Sequence, residues 1–310
     1  MAWRPVVALL LVAPYLGEVL STATSPLTLP LPWNLAMFSA LYGSGALICR
    51  EVAFRWGLGL PGLIVLGMAY GVFEEALVDR FWFDPEYART TGVGTYAEVG
   101  HTNLILATHL TAFHAAVSVC SSVLIATWLF PQDRDRAWVR PRWLIVAGLA
   151  MLTVLFITSE DYYRPPIGPI LVAIGIGILF VVLAFRVRRE PGPLSDRPRP
   201  RLLGLVAFLC AGFHFVLVYA IPSTGLPWPV GLAITLVPLV IGVFLVRRWI
   251  AEPHGRDGLW VVTGIIGFFI ALDAFVGASG RYDLIIGAVI TTVGVILLHR
   301  RVKAVSHSRT

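Results

Sequence analysis

GPILVAIGIGILFVVLAF, residues Gly168–Phe185, carries no charged side chain, and RVRRE follows it at 186–190. A run of about 18 or more apolar residues is long enough to cross the hydrocarbon of a bilayer as a helix. It must be a helix, because no water is available there to satisfy an open backbone. The arginines that close the run belong at the edge of the bilayer. Working outward, the same pattern recurs near 5–23, 33–54, 60–80, 102–130, 143–158, 202–222, 229–247, 258–278 and 283–299. The expected fold is an all-α polytopic membrane helix bundle of about 10 transmembrane helices.

Composition agrees with that reading. Of 310 residues, 57% are hydrophobic and 14% charged, against roughly 25% charged in soluble domains. The net charge of +6 comes from arginines in short loops, which fits membrane topology and gives no reason to expect nucleic acid as a partner. If the N-terminus is inside, twenty of the 24 Lys and Arg residues fall in inner segments, and only Arg80, Arg89, Arg164 and Arg281 stay outside. The alternation predicts an N-in/C-in protein, multi-pass in the plasma (inner) membrane, with the lipid bilayer as its first partner. The first run could be read as a signal peptide, but Pro14 and Glu18 interrupt it and favour a retained helix. Cys49, Cys120 and Cys210 all lie in apolar runs without C-x-x-C spacing, so neither a disulfide framework nor a cysteine metal site is expected. The whole chain, 1–310, reads as one integral membrane domain. Helical subunits 1–187 and 202–310 are joined by the Arg/Pro-rich inner loop RREPGPLSDRPRPR at 188–201.

Ionisable groups inside a span are costly and point to function. Glu18 lies in the first expected span, Glu74 and Glu75 in the third, and His109 and His114 in the fourth. His214 lies in the seventh and Asp273 in the ninth. At about 1.5 Å rise per residue, these groups fall in the outer half of the membrane, which predicts a shared polar cavity open to the outside. Glu74 and Glu75 are the leading candidates, since two close carboxylates favour a shared proton and suit either a general base or a proton carrier. Adjacent helical residues point about 100° apart, so the two are not expected to face one site directly. Gly67 and Gly71 on the same helix form G-x-x-x-G, which permits close helix approach. His114 shares a face with Asn103, Thr111 and Ser118, and Asn103, Glu18, His109, His214 and Asp273 are expected to line the cavity. Arg50 and Glu51, at the inner end of the second span, are explained by a local ion pair or by snorkelling, and Glu160, Asp161 and Asp283 by solvated loops.

The segment AYGVFEEALVDR, Ala69–Arg80, with a histidine 39 residues after Glu75, resembles the CPBP (CAAX protease and bacteriocin-processing) membrane family. That family carries Glu-Glu-x-x-x-Arg on one helix and histidines on following helices. Here Asp79 stands at the arginine position with Arg80 next to it, and Leu110 replaces the phenylalanine four residues before His114. The resemblance implies a membrane-embedded protease or hydrolase in which Glu74 or Glu75 activates water with His114, and whose substrate is a membrane peptide or a small molecule. No cofactor is required by the sequence, the metal requirement is unknown, and a divalent ion is compatible with the residues. Two rival readings stand beside it. One is a proton-coupled small-molecule transporter similar to the drug/metabolite exporters; the other is a non-catalytic structural membrane partner.

Overall fold

The computed structural model describes residues 1–158, 162–187 and 199–307. Most of the expected linker at 188–201 lies outside the described residues, as do Glu160 and Asp161. The remainder is an all-α membrane bundle, and its only strands among the described residues are a two-residue hairpin, β1 (Glu98–Val99) on β2 (Thr102–Asn103).

The helices are α1 (Trp3–Pro14), α2 (Pro32–Phe38), α3 (Ser44–Arg55), α4 (Gly59–Val72), α5 (Pro85–Thr90), α6 (Leu104–Phe113) and α7 (Ser122–Leu129). They continue as α8 (Pro141–Ile157), α9 (Ile167–Ala184), α10 (Pro200–Ala220), α11 (Trp228–Trp249), α12 (Arg256–Ala278) and α13 (Tyr282–His307). Four π-helical turns interrupt or extend them. Tyr15–Val19 prolongs α1, Ser39–Gly43 joins α2 to α3, Phe73–Val78 prolongs α4, and His114–Ser121 joins α6 to α7.

Seven helices among the described residues are long and apolar enough to cross a membrane: Gly59–Val78, Leu104–Leu129, Ile167–Ala184, Pro200–Thr224, Trp228–Trp249, Arg256–Ala278 and Tyr282–Ala304. Three other expected spans are shorter or carry charge. Pro141–Ile157 is apolar but shorter, α1 with its π-turn ends at Val19, and α3 carries Arg50, Glu51 and Arg55 in its last two turns. The segment after the Phe73–Val78 turn includes α5, which Asp84 caps through the Glu86 and Tyr87 amides.

Side-chain size explains which helices meet. Gly67 and Gly71 turn toward the α6–α7 helix, and a Cβ on Gly71 would stand 3.0 Å from the Thr111 Cα and 3.1 Å from the His114 Cβ. The glycine pair therefore brings the helix of Glu74 and Glu75 against the helix of His114. Gly17 makes room for Tyr42 in the same way, since a Cβ there would lie 2.5 Å from its ring. Lipid-facing positions such as Leu171, Val172 and Ile178 of α9 remain exposed. A water-soluble protein would bury such a face.

At the arginine-rich end, Glu51 is completely buried and forms ion pairs with Arg50 and with Arg55 (2.9 Å). It also accepts the Trp138 amide at 2.8 Å, while Arg50 donates to the carbonyls of Arg134 (3.0 Å) and Arg136 (2.8 Å). This knot fixes the loop between α7 and α8. It gives Arg50 and Glu51 a structural role well beyond snorkelling.

Candidate functional site

The four π-turns converge. Glu18 sits on the first, Tyr42 on the second, Glu74 and Glu75 on the third, and His114 opens the fourth. A π-turn closes i→i+5 bonds, so it holds one residue more than an α-turn and shifts the phase of the side chains around it. That shift removes the sequence-based objection to a shared site. Glu74 and Glu75 were expected to diverge by about 100°, yet both reach one atom, the His114 Nε2, at 2.8 Å (Glu74 Oε2) and 2.7 Å (Glu75 Oε1). The other imidazole nitrogen, Nδ1, lies 3.0 Å from the Ser118 hydroxyl one turn on.

The carboxylates extend this contact into a chain. The Tyr42 hydroxyl lies 2.5 Å from Glu74 Oε1 and 2.7 Å from Glu18 Oε1, and Thr24 donates to Glu18 Oε2 at 2.5 Å. A phenol has one proton and can donate to only one of its two carboxylate neighbours. The other short contact needs a carboxyl proton donated to the phenol oxygen. His114 presents the same problem, because a single Nε2–H lies between two acceptors. Glu75 Oε2 is left buried without a hydrogen bond, and Glu74 Oε2 has only its contact with the imidazole. Three acids and one imidazole thus share fewer donors than acceptors, in surroundings where an unpaired charge is very costly. The cluster is closed: Glu18 is 8% exposed, Glu74 0%, Glu75 4% and His114 2%. The expected cavity open to the outside is therefore corrected to an enclosed site, sealed over Glu18 by the segment that carries Thr24.

Glu74, Glu75 and His114 offer ligand atoms that all lie within 4.8 Å of one another. Two buried carboxylates, one with an unpartnered oxygen, beside an imidazole nitrogen fit a divalent ion of the zinc or manganese kind. Glu74, Glu75 and His114 are the residues that would hold such an ion.

Other residues expected in the cavity lie elsewhere. His109 and His214 form a separate buried pair, with His109 Nδ1 3.1 Å from His214 Nε2; His214 Nδ1 donates to the Thr235 carbonyl at 2.7 Å. Asn103 caps α6 through the Leu106 amide and ties down the preceding loop through the carbonyls of Gly94 and Tyr96, which is a structural task. Asp273 is buried on α12 with both oxygens unpartnered, facing Gly287 of α13. Arg80 takes a left-handed backbone (φ 61°) where the helix ends and donates to the Tyr163 carbonyl at 3.2 Å. Its side chain therefore reaches the loop before α9.

Sequence reasoning missed Tyr42, which links two of the acids. Its signal was a phenol in the middle of an apolar span, flanked by Ser39 and Ser44. It missed Tyr70 as well, whose ring centroid lies 5.9 Å from that of His114 and whose hydroxyl is buried without a partner, as is the Thr111 hydroxyl. Both are buried hydroxyls with a donor unused.

No curated protein and no solved structure matches the chain. A family model does match, over residues 7–301, which is nearly the full length. The chain belongs to that family, described as an uncharacterized membrane protein family.

Proposed function

We propose that the protein is a membrane-embedded hydrolase acting on a membrane peptide or small molecule. The observation that carries the reading is the meeting of Glu74 and Glu75 at the His114 Nε2 in an enclosed site. In this reading the Glu75 carboxylate takes a proton from water, the hydroxide attacks a substrate carbonyl carbon, and the same proton passes to the leaving group as the bond breaks. His114, held by Ser118, orients the carboxylates, and the free Tyr70 hydroxyl donates to the developing oxyanion. A divalent ion held by Glu74, Glu75 and His114 would supply Lewis acidity at the carbonyl oxygen.

The Glu-Glu pair and the histidine on the following helix are also the elements through which the chain resembles the CPBP proteases. The arginine count supports ten spans with both termini inside, and a plasma-membrane location is part of the same proposal. The test is to express the parent, Glu75→Gln and His114→Ala proteins at equal levels and profile new peptide termini in the host membranes. Cleavages present with the parent and absent with both variants are expected. Identical profiles would sink the hydrolase.

A second reading rests on the hydrogen-bonded chain Thr24–Glu18–Tyr42–Glu74–His114–Ser118. A string of proton-sharing groups suits a proton-coupled transporter equally well. Turnover in detergent, where no gradient exists, separates the two, because only the hydrolase retains it.

A further inference from the structure

A groove of about 590 Å³ runs between α1, α7, α12 and α13, away from the acid cluster. Its lining is mostly apolar, with Leu11, Leu16, Ile125, Ile266 and Leu298 among the contributors. The two ends differ. At one end, the Tyr15 hydroxyl lies 2.9 Å from both the Gly287 carbonyl and the Thr291 hydroxyl, so its polar groups are already satisfied. At the other end stands the exposed Arg301, which spends one N–H on the Leu129 carbonyl at 2.6 Å. A guanidinium has five N–H donors, so several remain for another acceptor.

Length and charge define what fits. On α13 the groove extends from Ile290 to Arg301, about 16 Å at the rise of an α-helix. That is about half the ~30 Å hydrocarbon core, the depth of one leaflet. The helices that form it include two that are long and apolar enough to span, Arg256–Ala278 and Tyr282–Ala304, so the groove faces acyl chains. The polar end is basic. Arg300 follows His299, which donates to or accepts from Thr263 at 2.8 Å and packs on Trp260, and Arg201 lies over the Trp260 ring at 5.8 Å. Asp257, in the first turn of α12, accepts the amides of Ala251 and Glu252 through one oxygen. Gly294, midway along the groove, has open space where its Cβ would be, with no atom within 4 Å.

We infer that this groove is a binding site for an anionic phospholipid of the leaflet on the arginine-rich side. One acyl chain lies along Gly294 toward Thr291, and the phosphate meets Arg301 with support from Arg300. Basic pockets between membrane helices at an interface hold anionic headgroups in this way. The inference is independent of the hydrolase reading, because none of its residues belongs to the acid cluster.

The experiment is a thermal-unfolding titration of the full-length protein in detergent. The probes are dioleoyl-phosphatidylglycerol, dioleoyl-phosphatidylcholine and free glycerol phosphate. Bound ligand raises the midpoint in proportion to its affinity. The glycerol lipid is expected to stabilise the parent more strongly than the choline lipid, and glycerol phosphate to have no effect. Arg301→Gln is expected to weaken the glycerol lipid by about fivefold with no effect on the choline lipid, as for the loss of about one interfacial charge contact. Gly294→Phe, which fills open space, is expected to abolish the response to both lipids while leaving the lipid-free midpoint in place. Equal stabilisation by the two lipids, an equal effect of free glycerol phosphate, or an unchanged glycerol-lipid response in Arg301→Gln or Gly294→Phe would each overturn the site.

Discussion

Glu75 and His114, 39 residues apart in sequence, meet with Oε1 2.7 Å from Nε2, and the second acid, Glu74, contacts the same nitrogen from the same helix. Replacing Glu75 by Gln keeps the shape and an acceptor oxygen but removes the base. The variant is expected to fold, with a detergent melting midpoint close to that of the parent, and to lose at least about 100-fold in hydrolytic rate, the usual scale for a general base. A variant that melts normally and still cleaves at the parent's rate would assign the pair to structure.

Tyr42→Phe tests the chain of protons. The phenol connects Glu18 to Glu74 inside the protein, so its loss leaves two buried carboxyl oxygens without that partner. A cost of about 1–3 kcal/mol is expected, read as a lower melting midpoint. Tyr70→Phe serves as the comparison, since its hydroxyl has no partner to lose. Equal midpoints for the two variants would show that the Tyr42 contacts contribute nothing.

How much of this was legible in the sequence depends on the link concerned. Apolar runs such as Gly168–Phe185 announced membrane helices because hydrocarbon tolerates no alternative. Gly67 and Gly71 announced a close approach, and it is the one that carries Glu74 and Glu75 to His114. The pairing of the acids could not be read, since a helix of constant 3.6-residue pitch separates neighbours and the π-turns break that pitch. Depth along a span was also a weak guide. It grouped His109, His214 and Asp273 with the acids because it says nothing about which way a side chain points around its helix.

Gly71→Leu is the sharpest test of the helix contact. Its first added carbon alone would meet the Thr111 Cα at 3.0 Å and the His114 Cβ at 3.1 Å. Overpacking of this kind costs about 1–3 kcal/mol, and activity is expected to fall with stability as the acids move off the imidazole. Gly148→Ala, where nothing lies within 4 Å, is the control and should match the parent in both midpoint and rate.

The buried knot at the arginine-rich end predicts a larger loss without any catalytic meaning. Glu51→Gln removes the charge that balances Arg50 and Arg55, and breaking a buried pair typically costs about 3–5 kcal/mol. The expected result is low yield and a much lower midpoint. Protein that does survive should turn over at the parent's rate per folded molecule.

His254, in the loop before α12, is held below the ordinary imidazole range by burial and then by the Arg134 charge. Its folded state prefers the neutral ring, so the unfolded chain takes up a proton first as the pH falls. Stability from this group is therefore full above about pH 6.5 and is lost below it, toward the depressed folded value. Melting midpoints measured from pH 7.5 to 5 should fall in the parent and fall less in His254→Gln.

The π-turns have a consequence for how such a chain can change. Each helix entering the acid cluster is one residue too long for a regular α-helix at that level, and the surplus lies beside a group that carries a proton. Removing a single residue from Phe73–Val78 would straighten that helix and satisfy its backbone. It would also rotate everything beyond the cut by about 100° and turn an acid toward lipid. The cluster is thus written in the count of residues along each helix as well as in their identity, and a relative that kept every acid but lost that one residue would have lost the site.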